Sequence, residues 1–157
     1  MRTGTFSRRW KPRLACLLMM IVSGTEYTSA SDDALESLDP LRWNHRVVLV
    51  HAPPDLAEHA ARNLTALDEQ IEDRDIAWFV LSDDGLSTNY PGPVGEGLKE
   101  WILERHFTPR PRLTGTVLIG KDGGVKSRGE DLDLESTFEL IDSMPMRQAE
   151  MRRNNRP

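Results

Sequence analysis

Val47-Val48-Leu49-Val50-His51-Ala52-Pro53-Pro54-Asp55-Leu56-Ala57-Glu58 is the stretch whose reading decides the fold. A continuous β-branched run of this kind suits a strand covered on both faces, and Pro53-Pro54 stops it. Asp55-Leu56-Ala57-Glu58 then has the form of a capping box, with Asp55 accepting from a first-turn amide and Glu58 reaching back. Leu56, Ala60, Leu64, Leu67 and Ile71 follow at spacings of three and four, one stripe of an amphipathic helix extending to about Arg74. Ile76 to Leu81 is again apolar throughout, so a second covered strand follows. Two covered strands joined by a helix form a right-handed parallel pair.

Downstream, Ser82–Val94 is rich in Asp, Gly and Pro and reads as a long polar loop, a length that goes with function or mobility. Leu98, Trp101, Ile102 and Arg105 mark a second helix that ends before Thr108-Pro109. Thr116–Ile119 is a third strand, Asp122-Gly123 a tight turn, and Val125–Arg128 a polar edge strand blunted by charge. Leu134, Phe138 and Ile141 form a last helix, opened by Asp131 or Asp133 and stopped at Met144-Pro145. The expected architecture is therefore α/β, of the thioredoxin-like three-layer kind: β-α-β-α-β-β-α around a central four-stranded mixed sheet in the order 4-3-1-2.

Upstream, Arg8-Arg9-Trp10-Lys11-Pro12-Arg13 precedes the apolar run Leu14–Val22. Nine helical residues cover about 14 Å, against roughly 30 Å for a bilayer core, so the run fits a signal-peptide core and not a span. Thr28-Ser29-Ala30 supplies a small-x-small cleavage site. The division expected is a signal peptide at 1–30, a linker at 31–37, a domain at 38–151 and a basic tail at 152–157. The product would be exported, periplasmic or extracellular, with no stable membrane span. Cys16 is the single cysteine, so cleavage leaves none, and the core must suffice without a disulfide. From Ser31 onward 24 acidic residues face 15 basic ones, a balance that argues against nucleic acid as partner.

Three segments go together: Glu72-Asp73-Arg74-Asp75-Ile76, Gly120-Lys121-Asp122-Gly123-Gly124-Val125-Lys126, and Ile141-Asp142-Ser143-Met144-Pro145-Met146-Arg147 with Glu150-Met151 beyond. They resemble the domain of unknown function 4174 family over about Leu38 to Met151. Its members are exported bacterial proteins, with related domains in vertebrate extracellular-matrix proteins (the P-DUDES grouping, likened to peroxiredoxins). The resemblance implies the fold and export, and lends no mechanism. It singles out Arg74, Asp75, Lys121, Asp122, Gly123, Asp142, Met144, Pro145, Met146 and Arg147. Arg147 reads as a structural residue pairing with Asp142 or Glu150, and Met144 and Met146 as plugs for the bottom of the core.

Thioredoxin-like enzymes place a cysteine where the first helix begins, because amides and dipole there stabilise a thiolate. This chain has His51-Ala52-Pro53-Pro54-Asp55 at that point and Gly115 where such enzymes keep a cis-proline. Thiol oxidoreductase and peroxidase chemistry is excluded in the mature chain. No phosphate-cradling glycine loop and no Gly-x-Ser-x-Gly elbow occurs. No catalytic residue and no cofactor is assigned. The expected role is a non-catalytic binding module of the cell envelope, for a protein or polysaccharide, working along His51, Pro54, Asp55, His59, Asn89 and Tyr90. These positions are expected to share the carboxyl edge of the parallel strands, where ligands of open α/β sheets bind. The alternative is an enzyme, either metal-dependent through His51, Asp55 and His59 or a non-thiol relative of peroxiredoxins.

Overall fold

The computed structural model describes residues 34–108 and 114–154. The expected signal peptide at 1–30, residues 31–33 of the expected linker, Pro109 and Arg156 lie outside the described residues. In chain order the elements are β1 (Arg46–His51), α1 (Pro54–Ala66), α2 (Asp68–Asp73), β2 (Ile76–Ser82), β3 (Gly85–Thr88) and α3 (Leu98–His106). They are followed by β4 (Gly115–Ile119), β5 (Val125–Gly129), α4 (Leu134–Ser143) and α5 (Pro145–Asn154).

Among the described residues the sheet has five strands, in the order β3-β2-β1-β4-β5. β1 and β2 run parallel, from Arg46 beside Ile76 to His51 beside Leu81. The other three pairings are antiparallel. The neighbours expected for four strands are all present, and the correction is one further strand beside β2. Asp83 and Asp84 are the two residues between paired Ser82 and Gly85, so the start of the supposed loop is a hairpin turn. Asp84-Gly85 was the signal for it.

Every residue of β1 is buried, and so is every residue of β2 before Ser82. Side chains alternate across the sheet and feed two cores. Val47, Leu49, Phe79, Leu81, Val117 and Ile119 pack with α3 and with Leu35, Leu38 and Leu41. Val48, Val50, Trp78, Val80 and Leu118 pack under α1, α2 and α4. Leu35 is buried, its amide donates to the Pro93 carbonyl (2.9 Å), and its carbonyl accepts from Gly95. The domain thus begins within the segment expected to be linker.

The helices depart from expectation in three places. The residue before α1 is Pro53, with no side-chain cap, and Asp55 lies inside the first turn. Pro54 explains this, since its fixed φ and missing N–H suit the first helical position. The buried stripe is then Ala57, Ala60 and Leu64, while Leu56 is 53% exposed. Small Ala57 and Ala60 let the helix lie close on the sheet. The expected single helix is interrupted at Leu67 (φ −110°, ψ 28°), two residues after Thr65, which bonds back to the Ala61 carbonyl, a contact that bends helices. Finally, Pro145 opens a helix of ten residues where a stop was expected; Met144 is extended (ψ 141°) and turns the chain between them. Asp133 is the cap of α4, accepting from the Ser136 amide at 3.0 Å. No helix among the described residues is long and apolar enough to cross a membrane.

Candidate functional site

At the amino ends of β1 and β2 the chain concentrates charge. Arg46, 1% exposed, heads β1. Its Nη1 donates to the Arg74 carbonyl (2.8 Å) and its Nη2 to Glu150 Oε2 (2.9 Å). Lys121, just after β4, donates to Glu150 Oε1 (2.8 Å) and Asp75 Oδ2 (2.7 Å). Arg74 donates to Asp142 Oδ2 (2.6 Å) and lies over the Phe138 ring. Arg147 donates through Nε to Asp142 Oδ1 (3.1 Å) and through Nη1 to the Asp73 carbonyl (2.6 Å), and it pairs with the Asp73 carboxylate. Burial alone would raise Asp142 and Glu150. The hydrogen bonds from Arg74 and Arg147, and from Lys121 and Arg46, outweigh it and hold both carboxyls below their ordinary values. Arg147 moves upward, because bonds to Asp142 and Asp73 outweigh the burial that would lower it.

This network joins β1, the approach to β2, the end of β4, α4 and α5. Four cations meet four carboxylates, and Glu150 and Asp142 each bridge two cations. Arg147 is the one buried residue of α5, so the helix is docked by ion pairs and not by an apolar face. The resemblance's residues Arg74, Asp75, Lys121, Asp142 and Arg147 are all members of this clasp. Arg147 pairs with Asp142 and leaves Glu150 to Arg46 and Lys121. Asp122 accepts from the Gly124 amide and from Lys126, bonds that hold it below its ordinary value, and Gly123 adopts φ 80° in the same turn. Met144, Pro145 and Met146 wall a cavity of about 400 Å³ beside Arg46 and Lys121. Met144 packs against the core, but Met146 is largely solvent-facing and does not plug it.

The carboxyl edge is built differently. His51 ends β1, pairs in register with Gly115, and stacks at a tilt on Phe107 with ring centroids 5.4 Å apart. On one side of Gly115 lies a groove of about 550 Å³, bounded by His106, Phe107 and Arg128. On the other lies one of about 190 Å³, bounded by His51, Leu56 and His59. Thr114, Gly115 and Glu130 border both, so the two grooves meet across the end of the sheet. Gly115 keeps the junction low: a Cβ there would meet the Phe107 ring at 3.4 Å.

The residues expected to form one edge are therefore divided. His51 and His59 line the smaller groove, with Pro54 and Asp55 exposed at the start of α1 next to Leu56. Asn89 and Tyr90 are carried to the opposite end, because β3 runs antiparallel to β2. There Asn89 Oδ1 accepts from the Trp78 amide (2.8 Å) and its Nδ2 donates to the Ile76 carbonyl (3.0 Å). The side chain prolongs the strand ladder where β3 has ended, which is a structural task. Tyr90 packs against the α3-side core. No group of three His, Cys, Asp or Glu among the described residues could hold a metal ion. His51 is buried at a strand end, while His59 is exposed and hydrogen-bonded to Asn63 (3.1 Å).

Sequence reading passed over Arg46, a lone charge at the head of an apolar strand, and His106. The His106 imidazole is pushed below its ordinary value, first by burial, then by Arg128 and Arg105. Its Nδ1 is buried without a hydrogen-bond partner.

Compared with known proteins, residues 37–150 match the family described as domain of unknown function (DUF4174), and the chain belongs to that family. The search of curated proteins found no match.

Proposed function

We propose that this DUF4174 protein is an exported, thioredoxin-like domain without thiol chemistry, which binds a protein or polysaccharide of the cell envelope along the carboxyl ends of β1 and β2. The thioredoxin-like reading is supported by the order of elements: a parallel pair joined through helix, then an antiparallel hairpin on the far side of β1 and a helix after it. β3 and α5 are additions at the two extremities of that plan. Where a thiolate would be held, the chain has Pro53 and Pro54, and where a cis-proline would stand it has Gly115.

The observation that carries the binding reading is the pair of grooves meeting over Gly115. Such a trough at the strand ends offers polar rims and an aromatic floor, which is the chemistry of recognition. Export is supported by the basic-apolar-small order of residues 1–30.

The test places a photo-crosslinking residue at Leu56, on the trough, and in a separate variant at Glu139, on the exposed side of α4. In material recovered from the envelope fraction, the position-56 variant is expected to give a discrete adduct that position 139 does not give. Mass spectrometry of the same material is expected to find a chain beginning at Ser31. Equal labelling from both positions sinks the binding surface; recovery of chains still carrying Cys16 sinks the export reading.

A further inference from the structure

On the α3 face, away from the trough's junction, a groove of about 290 Å³ lies between residues 38–45, α3 and the β4–β5 turn. Its size is at the small end of ligand sites, which run from about 300 to 1,000 Å³. Two guanidinium groups border it, Arg42 and Arg105, and both are exposed. Among the described residues neither has a carboxylate partner. Each instead lies over an indole, Arg42 over Trp43 and Arg105 over Trp101, both 5.4 Å from the ring centroid. Arg46, Arg62, Arg74 and Arg147, by contrast, reach carboxylates, and Arg128 donates to the His106 carbonyl.

Arg42 lies against the β4–β5 turn. Its side chain passes so close to Gly123 that a Cβ there would come within 2.9 Å of Nε. The next residue, Trp43, has φ 69° and is 62% exposed, and its amide donates to the Lys121 carbonyl (2.6 Å). A bulky residue in the left-handed region costs of order 1 kcal/mol or more, a strain found at ligand clamps. The groove also reaches His106, which is more than nine-tenths buried with Nδ1 unpartnered. Asp39 and Asp122 share the lining, but Lys126 neutralises Asp122 at 2.6 Å, and Asp39 lies exposed. Two guanidinium groups without carboxylate partners and an aromatic wall, with the buried His106 imidazole behind it, make a receptor for an oxyanion on a small organic body.

We propose that this groove binds a small organic anion, its carboxylate or phosphate held between Arg42 and Arg105 and its body lying against Trp101 and His106. His106 also borders the larger groove of the trough, whereas Arg42 borders this groove and not the trough, so the paired arginine substitution tells binding here from binding there.

Titration of the purified full-length protein in a chloride-poor buffer tests this, with inorganic phosphate, glucuronate, and glucose as the uncharged counterpart. Imidazole NMR signals of His106 and calorimetry serve as readouts. At least one of the two anions is expected to saturate and to move the His106 signals, and glucose is not. Saturation by phosphate alone assigns a phosphorylated ligand; saturation by glucuronate alone assigns an acid sugar or related carboxylate. Arg42→Gln with Arg105→Gln, both at exposed positions, is expected to weaken binding by about tenfold or more. The proposal is overturned if neither anion saturates, if glucose binds equally well, or if binding survives the double substitution or leaves His106 undisturbed.

Discussion

The two ends of the parallel strands contrast in how they treat polar groups. At the amino end, four cations and four carboxylates satisfy one another, and the chain's last helix is held down by them. At the carboxyl end, β1 runs out into prolines, a glycine opens the surface, and His106 keeps a ring nitrogen unpartnered. A closed network has nothing left to offer a ligand; an open edge does. The family-like residues lie mostly at the closed end, so the resemblance marks chiefly how the domain holds together, although Asp122 and Gly123 also border the groove of Arg42 and Arg105.

The sharpest way to break this contrast is Arg46→Ala. It strands Glu150 beside one cation and frees the Arg74 carbonyl, and removing one partner of a buried pair costs about 3–5 kcal/mol. Denaturant unfolding should register that loss. If the loss is below about 1 kcal/mol, the clasp is ornamental.

Acidification separates the ends next. Asp142 and Glu150 have folded values below their ordinary 3.8 and 4.5. The unfolded chain therefore binds more protons, and their contribution is whole above those ordinary values and lost as pH falls through the lower folded ones. His106, lowered from 6.5, also favours the folded state fully above 6.5 and loses that contribution as pH falls from there. Hydrogen exchange should thus show the region of His106 loosening first, between 6.5 and 4.5, and the amides of α5 only at more acid pH. The reverse order would mean that α5 is held by something other than its carboxylates.

Asn89→Ala should cost less, about 1–3 kcal/mol, by leaving the Trp78 amide and the Ile76 carbonyl without partners. It should leave adducts from position 56 unchanged, because Asn89 serves the ladder and not the trough. At the bottom of the scale, Leu56→Asp should change stability by no more than about 0.5 kcal/mol, while abolishing crosslinking across the trough from a probe at His59. Destabilisation without loss of capture would move the working surface elsewhere.

Much of the scaffold was legible in the residues. The apolar runs Val47–Val50 and Ile76–Leu81 are strands, Asp122-Gly123 is a turn, and Asp133 caps α4, since periodicity and turn chemistry act over a few neighbours. Where reading failed, a local rule lost to a specific competitor. Pro54 took the first helical position from the expected cap, and the Asp84-Gly85 turn signal was submerged in a polar stretch. Of the site, the histidines and the missing sulfur were visible, whereas Asn89 and Tyr90 were placed at the wrong end because β3 was unseen.

The sequence alone determined that a single cysteine lies in the leader-like segment, that two covered strands flank an amphipathic helix, and that the body of the chain is acidic. Tertiary structure alone decided which charges meet: Arg46 and Glu150 stand 104 residues apart, and Arg42 comes against Gly123 only when the hairpin folds beside it. Helix and turn preferences arise from near neighbours, but an ion pair or a groove exists only once chain closure has brought distant segments together.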